Sequence, residues 1–168
     1  MIEVKNIFPE CNADTLLVEL IVQRGRPGHR NGITEVQNAL KIDTNHFIIG
    51  VIDTDKFKKE ERYKYIQEFE IVENRLEAEN LLILRKPDTN KYIIRIHPGL
   101  EKWIWDLAIK CSVIPSDYGF DSIESLMDAT KQQKVSENKE LKKFINKVVS
   151  LNPLPIQTLR NWLMRALQ

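Results

Sequence analysis

Phe47-Ile48-Ile49-Gly50-Val51-Ile52-Asp53-Thr54-Asp55-Lys56 sets an unbroken run of mostly apolar, β-prone residues against an abrupt acidic doublet. Continuous apolar runs of this length mark strands buried on both faces, and such strands belong to parallel sheets covered by helices. The run 47–52 therefore predicts a central strand of an α/β fold, with Asp53 and Asp55 where the strand leaves the core. Carboxylates gathered at a strand end are a means of holding a hard divalent cation through oxygen ligands.

Towards the amino terminus, 2–8 alternates and is β-prone, ending at Pro9-Glu10, and Asn12 fits an N-cap for a helix over 13–23 that aligns Leu16, Leu17, Leu20 and Ile21. Residues 24–32 form a basic, Gly- and Pro-punctuated loop with Arg24, Arg26, His29 and Arg30, with room for a very short strand. A helix over 33–41 aligns Ile33, Val36 and Leu40. Towards the carboxyl terminus, a charged loop leads to a short helix near Phe69, and 71–80 fits neither pattern. The β-rich runs 81–85 and 92–96 flank Lys86-Pro87-Asp88-Thr89-Asn90-Lys91, a hairpin signal. After His97-Pro98-Gly99 a helix runs over 100–110 with Glu101 in its first turn.

The remainder reads as helices over 123–131, 141–151 and 156–167, the last behind the breaker Asn152-Pro153-Leu154-Pro155. Ile156, Leu159, Leu163 and Ala166, with Trp162 beside them, make an apolar packing face. A protein partner or a second copy of the chain, docked through these helices, is open as its target. The order predicts an α/β core over 1–110, a largely parallel sheet flanked by helices with an added β-hairpin, and a helical extension over 111–168 packed on the same domain.

Composition narrows the function classes. Hydrophobic residues make up 42% and charged residues 29% of 168 positions, ordinary for a soluble domain, and no apolar run approaches the roughly 20 residues that cross a bilayer. Met1-Ile2-Glu3-Val4-Lys5 lacks the basic-then-apolar order of a signal peptide, so a cytoplasmic location without a membrane partner is the expectation. Cys11 and Cys111 are too few and too far apart for a disulfide framework, and His29, His46 and His97 have no zinc-ligand spacing. A net charge of +1 excludes bulk attraction to nucleic acid, so any such binding needs a local patch.

In open α/β sheets ligands bind at the carboxyl ends of the strands. Glu10, Asp53, Asp55 and Glu101 each follow a predicted strand, so one crevice would gather four acids that are remote in sequence. Packed carboxylates repel one another unless a cation neutralises them, and Mg²⁺ or Mn²⁺ suits oxygen ligands and shares them with phosphate. Simpler readings stand beside this one. Asp53 and Asp55 also fit a capped turn, Asp14 and Glu101 fit acids at the positive ends of helices, and the loop 24–30 fits a solvated surface.

Two motifs carry a resemblance. Glu10-Cys11-Asn12-Ala13-Asp14 is similar to the acid-bearing turn after the first strand of Toprim domains, and Asp53-Thr54-Asp55 resembles their Asp-x-Asp after a later apolar strand. These are the metal-binding α/β modules of topoisomerases, bacterial primases, some small ribonucleases and OLD-family nucleases. Glu101 resembles a further acid of OLD-like members, and the resemblance covers roughly 1–110. It implies Mg²⁺- or Mn²⁺-dependent phosphodiester chemistry on nucleic acid, as in a small nuclease. Asp53 and Asp55 would hold the metal, Asp14 or Glu101 would complete the set, and Glu10 would be a ligand or the general acid or base. Arg24, Arg26, His29, Arg30 and Lys56 would clamp phosphate, with Lys131 and Lys134 in the same role at greater remove. A non-catalytic module of this fold, binding metal, nucleotide or a partner inside a larger complex, is the alternative. A phosphatase of the haloacid dehalogenase type, with Asp53 as nucleophile, is a third reading.

Overall fold

The computed structural model describes residues 3–42, 46–54, 64–132 and 134–168. The strand that the apolar run predicts is β4 (Ile48–Asp53), an interior strand of the sheet. Strands β2 (Ile7–Pro9) and β7 (Lys91–Ile96) pair with it in parallel on either side. β6 (Leu81–Arg85) and β5 (Glu70–Arg75) continue the sheet in antiparallel sense, giving five strands in the order β2-β4-β7-β6-β5. The fold is α/β with a mixed sheet and helices on both faces.

Three local expectations change. The predicted strand 2–8 is broken after Val4, and β1 (Glu3–Val4) pairs instead with the very short β3 (Arg26–Pro27) in a separate two-stranded sheet. The hairpin β6–β7 is not an addition at the side, because its second strand is the middle strand of the sheet. Residues 71–80 resolve into the exposed edge strand β5 and the single-turn helix α3 (Leu76–Glu79). An edge strand with one solvated face lacks the continuous apolar run that makes a central strand legible.

Alternation along the strands sorts the core. Ile48 and Ile52 of β4, with Leu82, Leu84 and Ile93, face α2 (Ile33–Lys41), which packs through Ile33, Val36 and Leu40. Gly50 lies on that face because an added Cβ would stand 2.8 Å from Val36 Cγ1, so α2 sits directly on the strand backbone. Ile49 and Val51 point the other way with Ile7, Ile83, Ile94 and Ile96, towards α1 (Asn12–Val22) and α4 (Leu100–Lys110).

The last three helices, α5 (Ile123–Thr130), α6 (Lys139–Leu151) and α7 (Leu154–Arg165), join that same core. Ile156, Leu159, Trp162, Leu163 and Ala166 are buried in it. The apolar face of α7 is thus used within the chain and is not left for a partner. No helix among the described residues is long and apolar enough to cross a membrane.

Candidate functional site

Parallel pairing of β2, β4 and β7 brings their carboxyl ends to one edge of the sheet, where Pro9 is opposite Val51 and Asp53 is opposite Ile96. Glu10 continues β2 by donating its N–H to Val51 O at 2.9 Å, and its Oε2 accepts the Asp53 N–H at 3.2 Å. The amino-terminal glutamate and the aspartate of β4 therefore touch, 43 residues apart in the chain. Asp53 Oδ1 accepts the N–H of Leu100 at 3.0 Å, tying β4 to the first turn of α4.

Gly99 lies between two of the acids. A Cβ at this position would be 3.6 Å from Asp53 Oδ2 and 3.9 Å from Glu101 Oε2, so the absent side chain leaves a small space that both carboxylates border. Glu101 is oriented from its other oxygen, Oε1, by the buried Thr130 hydroxyl at 2.6 Å. Sequence reasoning misses Thr130, which closes a helix 29 residues further on and carries no motif.

Asp14 is fully buried on the first turn of α1. Cys11, not Asn12, is the N-cap: its Sγ accepts the Asp14 N–H at 3.4 Å, and Asp14 Oδ2 accepts the Cys11 N–H at 3.1 Å. The helix-start reading of Asp14 thus holds for one oxygen, while Oδ1 is buried with no hydrogen-bond partner. Burial lifts this carboxyl from its ordinary value to about 7; the hydrogen bond with Cys11 opposes the rise, and the charges of Glu10 and Glu101 add to it. Burial, reinforced by the charge of Asp14 and more weakly by that of Asp53, also pushes the Cys11 thiol far up, so it is not a thiolate.

The basic loop divides. Arg30 N–H donates to Pro9 O at 3.1 Å and Gly32 N–H to Glu10 O at 2.9 Å, which clips the loop onto the end of β2 beside the acids. Arg30 stacks its guanidinium over Phe8, 5.0 Å from the ring centroid, and His29 Nε2 lies 2.9 Å from Asn31 Oδ1. Arg26 is exposed on the β1–β3 ribbon. Arg24 borders a cavity with Lys5, Asn6 and His46, beside the starts of β2 and β4 and so at the opposite edge of the sheet. Asp55 and Lys56 lie outside the described residues.

Glu10, Asp14, Asp53 and Glu101 thus gather at one edge. As they stand, no three His, Cys, Asp or Glu side chains among the described residues are placed to hold a metal ion together. In donor chemistry the set suits a hard divalent cation: oxygen ligands only, a buried carboxylate oxygen without a partner, and a space at Gly99 between two carboxylates. Comparison with family models, curated proteins and solved structures returns no match.

Proposed function

We propose that this chain is an Mg²⁺- or Mn²⁺-dependent phosphodiester enzyme acting on nucleic acid, a small nuclease of Toprim-like plan. The observation that carries this reading is the meeting of Glu10 with Asp53, and of Asp53 with Glu101 across Gly99, beside the buried and partly unpartnered Asp14. Burial, with the charges of Glu10 and Glu101 adding to it, makes the ionised form of Asp14 costly without a cation.

Asp53, Asp14 and Glu101 are the described residues that would hold the ion, with Asp55 as the remaining acid of the doublet. The bound ion would supply charge neutralisation at phosphate oxygens and a more acidic attacking water. Glu10 is at hydrogen-bonding distance from the backbone of β4 and takes a proton from the attacking water or gives one to the leaving oxygen. Arg30 and His29, fixed beside Glu10 by the clipped loop, bind the phosphate and balance its charge. Arg26 and Lys56 extend that role.

A second reading is favoured by a specific observation: Asp14 caps α1 and Glu101 bonds Thr130, so both acids have structural work in the fold without catalysis. A non-catalytic module that binds metal, nucleotide or a partner follows from it. Incubating labelled DNA and RNA with the chain and Mn²⁺ separates the two readings. The enzyme reading expects cleavage that disappears in Asp53→Ala/Asp55→Ala, and cleavage surviving in that variant would eliminate it. Calorimetric Mn²⁺ binding without cleavage of either substrate would favour the module.

A further inference from the structure

The net charge of +1 conceals an uneven distribution. Between residues 131 and 147 there are six lysines against two glutamates, so the rest of the chain is net acidic. Most of these lysines lie on α6, where burial of Leu141, Phe144, Ile145, Val148 and Val149 fixes which face meets solvent. Lys139, Lys142, Lys143 and Lys147 occupy the opposite face and are exposed. Their spacing sets four cations in a stripe about 12 Å long on the helical rise.

Lys86 pairs with Glu68, Lys102 with Asp106 and Lys134 with Glu137, whereas Lys5, Lys41, Lys64 and Lys110 are exposed without such a pair among the described residues but lie on separate segments of the chain. None of the four lysines of α6 has a carboxylate partner among the described residues. Four uncompensated ammonium groups in a row repel one another, a cost that a polyanion removes.

The chain just before the stripe borders the candidate site. Thr130, whose hydroxyl bonds Glu101, is followed directly by the exposed Lys131. The tight turn Val135–Glu137 that leads into α6 packs on α1, the helix that carries Asp14.

We propose that the exposed face of α6 is a docking track for the phosphodiester backbone of a nucleic acid, leading into the acid cluster. Charge complementarity selects this occupant: a row of point charges without aromatic groups suits a regularly charged backbone and reads no base sequence. The inference rests on the nucleic-acid reading for its direction, but the binding it describes needs no metal.

The test is fluorescence anisotropy of the full chain with a labelled DNA duplex and an RNA of the same sequence, without divalent ions, between about 50 and 200 mM salt. Affinity is expected to fall steeply with salt, with a logarithmic slope near 3 to 4 for about four phosphate contacts on a duplex. The variant K139E/K142E/K143E/K147E should lose at least about tenfold in affinity and most of that slope, while its circular dichroism and melting temperature stay unchanged. A control with the same charge change elsewhere, K5E/K41E/K64E/K110E, should bind several-fold better than the α6 variant. Preference for DNA or for RNA identifies the source of the backbone. Equal loss in both variants, undiminished binding by the α6 variant, or tighter binding to anionic lipid vesicles than to either nucleic acid overturns the proposal. Asp53→Ala should keep this binding, so a failed metal site and a failed track are told apart.

Discussion

Asp14 concentrates the tension of the candidate site in one side chain. One oxygen caps α1 and the other is buried without a partner among like charges, which lifts its carboxyl to about 7. In the unfolded chain the same group titrates near its ordinary 3.8, so the fold binds this proton more tightly than the unfolded chain does. Stability contributed by the protonated form is complete below the unfolded value and declines as pH rises through about 7. Asp14→Asn should flatten this decline and raise the melting temperature at pH 8, with little change at pH 4, as thermal unfolding at both values would show. A variant less stable than the parent at pH 8 would refute this account. Mn²⁺ should stabilise the parent more at pH 8 than at pH 5.5, because the ion competes with the proton.

Gly99 matters for the room it leaves. Its backbone is extended, a conformation any residue adopts, and an added Cβ makes only ordinary contacts with Asp53 and Glu101. Gly99→Ala should therefore fold with an unchanged melting temperature and yet bind Mn²⁺ more weakly, since the methyl group enters the space between the two carboxylates. Calorimetry showing unchanged affinity would remove Gly99 from the site.

At the scale of elements, packing decides how the acids are presented. α2 lies against β4 so closely that a methyl group at Gly50 would meet Val36 Cγ1 at 2.8 Å and Leu40 Cδ1 at 3.2 Å. Gly50→Ala should cost about 1–3 kcal/mol through overpacking. Urea unfolding would register this as a lower midpoint with an unchanged slope. On the opposite side, α5 ends in Thr130 and sets the rotamer of Glu101. Thr130→Val should preserve the fold and weaken Mn²⁺ binding by about tenfold, the usual effect of removing a hydrogen bond behind a ligand. Thr130→Ser, which keeps the hydroxyl, should restore the affinity.

Legibility at this scale followed burial. β4 and the hairpin strands were readable because β-rich runs of five or six residues ending in Asp, Pro or Gly have few competing conformations. β5 was not, because Glu70, Ile71 and Val72 are all exposed and the register shifts between Ile71 and Glu73. Sequence alone points to Asn12 as the cap of α1, one residue late, because Cys11 is an unusual N-cap, made possible by the reciprocal bond from Asp14.

For the whole molecule, the sheet order brings Glu10, Asp53 and Glu101 together, because three parallel strands end at the same edge. That juxtaposition could be argued from strand-end acids alone, and the contact of Glu10 with Asp53 agrees with it. The division of the basic loop could not. Arg24 and Arg30 are six residues apart, yet they serve opposite edges of the sheet because the intervening chain runs along it through β3. The helical extension likewise gave no sign of its target from its apolar stripe, which packs inside the chain.

Periodicity and the abrupt change from apolar to acidic residues are local properties of a chain, and they were enough to define the α/β class, an interior strand buried on both faces and the acids at its end. Distances between remote residues depend on which strand lies beside which, and that order follows from how the helices cover both faces of the sheet. Only the folded arrangement therefore revealed Thr130 behind Glu101, the space at Gly99 and the buried, unpartnered oxygen of Asp14.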